Sequence, residues 1–111
     1  MIGKKHNMKR LKFVGKSKDA LKWFPEAARQ QAGYQLHLVQ KGEEPYDWKP
    51  MTTVGKGVKE IRIKEGEQYR IIYIAKLEDA VYVLHAFKKK TQKTSQHDIE
   101  IARNALKEIL R

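Results

Sequence analysis

Val58-Lys59-Glu60-Ile61-Arg62-Ile63-Lys64 alternates apolar and polar side chains, Gly66 interrupts, and Tyr69-Arg70-Ile71-Ile72-Tyr73-Ile74-Ala75 follows with apolar residues on both parities. Alternation marks a strand buried on one face only, so Ile61 and Ile63 point inward while Glu60, Arg62 and Lys64 face water. A strand that is apolar on both sides except at Arg70 belongs inside a sheet, covered on both faces. Leu77-Glu78-Asp79-Ala80 reads as a second turn and Val81–Phe87 as another inner strand. Three consecutive strands joined by short turns form an antiparallel meander.

Working outward, residues 8–14 end in an alternating strand pattern that Gly15 breaks. Ser17 is placed to N-cap a short helix, with Asp19 in its first turn and Leu21 and Phe24 on one face. Pro25 suits the start of a second helix, Glu26–Gln40, whose Ala28, Ala32, Leu36 and Val39 share a stripe and which Gly42 ends. Pro45, Pro50, Gly55 and Gly57 make residues 42–57 a connection. Ser95-Gln96-His97-Asp98 has capping-box spacing, with Asp in place of Glu, and Ile99, Ala102, Ala105, Leu106 and Ile109 give a final helix its apolar face. The expected order is β-α-α-β-β-β-α: an α+β fold with a central, mostly antiparallel sheet and helices packed on one face.

The chain has 111 residues, enough for one domain and too few for two proper cores. It has no cysteine, which excludes disulfide frameworks, thiolate metal sites and cysteine nucleophiles. The longest apolar run, Ile71–Ala75, is far too short to span a membrane, and Met-Ile-Gly-Lys-Lys-His-Asn lacks the apolar stretch of a secretory signal. A cytoplasmic location is expected. Against 13 acids stand 24 Lys and Arg, a formal charge of +11, which points to polyanionic partners. The cations gather at Lys4, Lys5, Lys9, Arg10 and Lys12, and again at Lys88, Lys89, Lys90 and Lys93, with no acid in either run.

Conventional catalytic motifs are missing. His6, His37, His85 and His97 show no paired ligand spacing, so no metal site or cofactor is expected. Gly55-Lys56-Gly57 matches neither common phosphate loop, and no nucleophile elbow occurs. Arg70 is the one charge in an apolar strand, so it either pairs with Glu60 or Glu67 or clamps a phosphate from an open groove. His85 interrupts its strand similarly, and a hydrogen-bonded core histidine is the structural alternative to a functional one. His97, in the first turn of the last helix, is expected to be a neutral imidazole able to accept a proton, or else a plain surface residue. Tyr46, Trp48, Tyr69 and Tyr73 are candidates for stacking on bases, Trp48 and Tyr73 equally for the core. Such a set suffices for RNA cleavage. The 2′-hydroxyl is an internal nucleophile, needing only a proton acceptor, cations for the phosphorane and a donor to the leaving oxygen.

Leu36 through Gly57, with Gln40-Lys41-Gly42, Lys49-Pro50-Met51 and Gly55-Lys56-Gly57, resembles the phage-derived and HigB-like branch of the RelE/ParE toxin superfamily. The likeness continues through Val58–Arg62, Tyr69-Arg70-Ile71-Ile72-Tyr73 and Val83-Leu84-His85-Ala86-Phe87-Lys88-Lys89-Lys90-Thr91. The resemblance implies a single RelE-like domain over 1–111 and the toxin of a type II toxin–antitoxin pair. It implies mRNA cleavage in the ribosomal A site without metal, and silencing by a helix-turn-helix antitoxin. Carried over by position, Arg70 is the phosphate-binding arginine, Arg62 and Lys64 are the basic residues of the preceding strand, and Lys89 is the following cation, with Lys88 and Lys90 as near alternatives. RelE-type members carry a tyrosine near the start of the last helix, where this chain has Ser95-Gln96-His97-Asp98. His97 or Lys64 is left to handle the proton, while Lys93, His85 and Tyr69 join Arg62, Lys88 and Lys90 as candidate RNA contacts. ParE-like relatives share the fold and imply an alternative, a non-enzymatic inhibitor of DNA gyrase; a third reading is a plain basic RNA-binding module that has lost toxicity.

Overall fold

The computed structural model describes residues 8–110; Lys4, Lys5 and His6 lie outside the described residues. The elements are β1 (Arg10–Phe13), α1 (Ser17–Lys22), α2 (Glu26–Gln40), β2 (Trp48–Pro50), β3 (Val58–Glu65), β4 (Glu67–Ile74), β5 (Ala80–Lys88) and α3 (Gln96–Leu110). The sheet runs β1-β5-β4-β3-β2. Strand β1 is parallel to β5 and the other neighbours are antiparallel. The α+β class and the meander β3-β4-β5 are as expected, and Gly66, at φ +77°, makes the tight reversal between β3 and β4.

One expectation is corrected: helices cover both faces of the sheet. Helices α1 and α2 set Phe24, Ala28, Ala32, Leu36 and Val39 against Ile61, Ile63, Tyr69, Ile71, Tyr73, Val81 and Val83. Helix α3 sets Ala102, Ala105 and Leu106 against Val58, Ile72, Ile74 and Leu84 on the other side. The reason lies in β4 and β5 themselves, whose apolar residues on both parities require cover on both faces.

Two local expectations are also corrected. Ser17 does not cap α1; it opens the helix, 2% exposed, and its hydroxyl donates to the Val83 carbonyl at 3.0 Å, fastening α1 to β5. Within the stretch read as a connection, Trp48–Pro50 forms edge strand β2, with Trp48 opposite Ile61, Lys49 opposite Glu60 and Pro50 opposite Lys59. Three residues ending in proline carry no periodicity, and an edge is where a sheet tolerates a proline. Of the expected Ser95–Asp98 box one half forms: the Asp98 backbone N–H donates to Ser95 Oγ at 3.1 Å, while the Asp98 carboxylate takes the Ser95 hydroxyl and His85 instead of the Ser95 backbone N–H.

On the α3 side, the register Val58–Ile74, Glu60–Ile72, Arg62–Arg70 and Lys64–Gln68 runs from apolar to charged toward the Gly66 turn. Helix α3 packs on the apolar half, so the charged half of that face lies beyond it.

Candidate nucleic-acid interface

Arg70 stands on β4 directly across from Arg62 on β3 and Phe87 on β5. Its side chain is 5% exposed, and its Nη1 donates to Gln68 Oε1 at 3.2 Å and to the Tyr69 carbonyl at 3.1 Å. Arg70 Nε lies 3.6 Å from Oε1 of Glu60, a carboxylate with no exposed surface. The pairing with Glu60, read as an alternative to a phosphate clamp, is present. Burial pulls the guanidinium pKa down, and the Glu60 charge opposes that pull.

Glu60 was expected to face water, but a cluster encloses it. Thr94, in the turn before α3, donates its hydroxyl to Glu60 Oε2 at 2.6 Å, and Lys49 Nζ on β2 lies 3.8 Å from Oε1. The sequence offers Glu60 only as a possible ion-pair partner of Arg70, and it gives no sign of Thr94 or Lys49 beside it. Lys49 belongs to the overlooked strand, and Thr94 is distant in sequence; only the unpaired arginine of β4 hinted at a buried acid.

Lys89 follows β5 and closes the other side. Its backbone N–H donates to the Gln68 carbonyl at 2.7 Å and its ammonium to the Gln92 carbonyl. Burial, then the charge of Arg70, lowers its pKa. Gln68, Arg70, Lys89, Lys90, Thr91 and Gln92 line an open cleft of about 450 Å³. Lys64 is exposed on the same face of β3, opposite Gln68. Arg62 is already engaged: its Nε and Nη2 fork onto Asp47 Oδ1 at 3.0 and 2.9 Å.

Two candidates lie on the face of the sheet opposite Arg70. Tyr69 is 4% exposed and packs on Phe24 at 4.8 Å between ring centres, inside the α1/α2 core. Lys88 sits opposite Tyr69 and therefore points to that side too, with its ammonium 4.0 Å from Glu67. Side-chain alternation along the two strands imposes both placements. Tyr73, also a stacking candidate, is core at 1% exposure, whereas Tyr46 is exposed against Tyr34. Lys93 is exposed in the segment before α3.

His85 faces α3 because β5 is bulged. Ile72 pairs with His85 but Tyr73 pairs with Val83, so Leu84 has no opposite number and both Leu84 and His85 turn toward α3. His85 Nε2 meets Asp98 Oδ1 at 2.7 Å, and the ring stacks on Phe87 at 4.8 Å. Burial lowers its pKa against the opposing Asp98 hydrogen bond, so the neutral ring is favoured. Ser95 Oγ donates to the other carboxylate oxygen, Asp98 Oδ2, at 2.7 Å. His97 is exposed on the first turn of α3.

A guanidinium lining an open cleft, with a second cation beside it, has the charge and donor geometry that suit a phosphate or another anion. Among the described residues no helix is long and apolar enough to cross a membrane. No curated protein matches the chain. A family model described as "Phage derived protein Gp49-like (DUF891)" matches residues 19–107, which include every strand from β2 to β5 and most of α3. The chain therefore belongs to the Gp49-like family of phage-derived proteins, a family of toxin–antitoxin toxins within the RelE/ParE-like superfamily.

Proposed function

We propose that this toxin is an mRNA endoribonuclease acting at the ribosome, restrained by a cognate helix-turn-helix antitoxin. The observation that carries the reading is the convergence of Arg70 and Lys89 on one open cleft of a chain with a formal charge of +11. Cleavage uses the RNA's own nucleophile. The 2′-oxygen gives its proton to His97 and attacks the adjacent phosphorus, and Arg70 and Lys89 stabilise the charge of the resulting phosphorane. Lys64 protonates the departing 5′-oxygen, leaving a 2′,3′-cyclic phosphate and a free 5′-hydroxyl. Lys90 and Lys93 hold flanking phosphates, and the fork on Asp47 makes Arg62 a weaker phosphate contact than Arg70. His85, tied to Asp98, holds the start of α3, and with it His97, against β5.

The test is to induce the chain in cells lacking the antitoxin and map mRNA 5′ ends by primer extension. New 5′-hydroxyl ends inside translated frames support the reading. Intact transcripts accompanied by loss of DNA supercoiling make the chain a gyrase inhibitor instead, and harmless expression makes it a binding module.

A further inference from the structure

Glu60 is a carboxylate with no exposed surface, paired with the Arg70 that lines the cleft, and no step of the cleavage scheme uses it. Among the described residues, Glu60 Oε1 and Arg70 Nε are buried without a hydrogen-bond partner, though they face each other at 3.6 Å. Burying a carboxylate is costly, and the Arg70 charge and the Thr94 hydroxyl are what offset that cost. Glu60 Oε2 is fixed by Thr94, so the carboxylate cannot swing away, and Lys49 approaches Oε1 from the edge strand. On the other side of the guanidinium, Nη1 is held by Gln68 and the Tyr69 carbonyl.

We infer that Glu60, locked by Thr94, is a positioning residue that fixes the plane and direction of the Arg70 guanidinium so that its remaining N–H groups meet the phosphorane. The inference rests on the cleavage reading above. Small displacements of a charge-stabilising group cost far more in the transition state than in binding. Removing the Glu60 charge also leaves the cleft more positive, so RNA binding is not weakened. That combination separates positioning from mere structural damage, which lowers both.

The experiment compares the full chain with Glu60→Gln by two readouts. In protein labelled with ¹⁵N-arginine, the Arg70 Nε–H resonance, assigned with Arg70→Lys, moves in Glu60→Gln because the carboxylate charge facing it at 3.6 Å is gone. In ribosome-programmed mRNA cleavage, kcat falls roughly ten- to a hundredfold with KM unchanged or lower. Should Glu60→Gln not fold, Thr94→Val releases the carboxylate from its other partner and is read the same way. An unchanged Nε–H resonance with unchanged kcat overturns the inference. So does a kcat–pH profile whose acid limb vanishes in Glu60→Gln, which would make Glu60 the proton acceptor itself. If the parent chain cuts no mRNA while the resonance still depends on Glu60, the cleavage reading falls and the fixed guanidinium stands.

Discussion

His85 Nε2 and Asp98 Oδ1 are 2.7 Å apart across 13 residues of chain, and this contact joins the bulged strand β5 to the first turn of α3. Both groups are largely covered, and Ser95 holds the far oxygen of the carboxylate. The turn that carries Thr94 into the cleft is thus anchored at its α3 end by a titratable pair.

The anchor makes stability depend on pH. Burial sets the His85 pKa in the folded chain below its ordinary 6.5, so the unfolded chain takes up the proton first as pH falls. Stability is complete above that ordinary value and declines below it, toward the lowered folded-state pKa. Melting temperature is expected to fall between pH 7.5 and 5.5, and His85→Gln to flatten that slope. An equal slope in the variant would remove His85 from the explanation.

Arg70→Ala is expected to damage the fold as well as the site. It leaves the buried Glu60 carboxylate with the Thr94 hydroxyl and, as its counter-charge, only Lys49 at 3.8 Å, a loss of about 3 kcal/mol in urea unfolding at neutral pH. Combining Arg70→Ala with Glu60→Gln recovers most of that loss. If Arg70→Ala unfolds at the parental urea midpoint, the two charges are not coupled.

Neighbouring lysines on opposite faces give a sharper comparison. Lys89→Ala is expected to lower mRNA cleavage at least roughly tenfold, within the range for one electrostatic group at a developing charge, with little change in melting temperature. Lys88→Ala, which removes a side chain from the α1/α2 side, leaves cleavage near the parental rate. Equal losses would mean that net charge alone drives activity.

Packing between the loop after β2 and α3 is tight at Gly55, where an added Cβ would lie 2.4 Å from Leu106 Cδ2. Gly55→Ala must displace a buried side chain of the α3 core, and about 1–3 kcal/mol of destabilisation is expected by calorimetry. Gly33→Ala, with nothing within 4 Å and in mid-helix, is expected to stabilise by about 0.5–1 kcal/mol. Reversed signs would contradict the packing described for these two positions.

Most of the fold was readable from periodicity. Ile61 and Ile63 against Arg62 and Lys64, the two-sided apolar strands, and the α2 stripe from Ala28 to Val39 each announce their own burial. Helix α3 was placed on the wrong side because an amphipathic stripe says that a helix is covered, not by which face of a sheet. The same apolar parity in β4 and β5 that predicted cover on both faces was the available clue. Arg70 and Lys89, which line one cleft, stand out in the sequence because an isolated charge in an apolar strand and a run of lysines are visible locally. Glu60 was assigned to water by simple alternation, since nothing local reveals that Thr94, 34 residues later, folds over it. Tyr69 and Lys88 are named by chemistry without parity: aromatic and cationic side chains suit RNA, but these two lie on the face opposite the Arg70 cleft.

The most direct test uses purified translating ribosomes, a defined mRNA and the purified full chain, with cleavage followed by primer extension and end-group analysis. The expected result is scission within the translated frame, leaving a 2′,3′-cyclic phosphate, that slows at least roughly tenfold with Lys89→Ala and not with Lys88→Ala. Full-length mRNA surviving a stoichiometric excess of folded protein, or cutting at an equal rate by both variants, would contradict it.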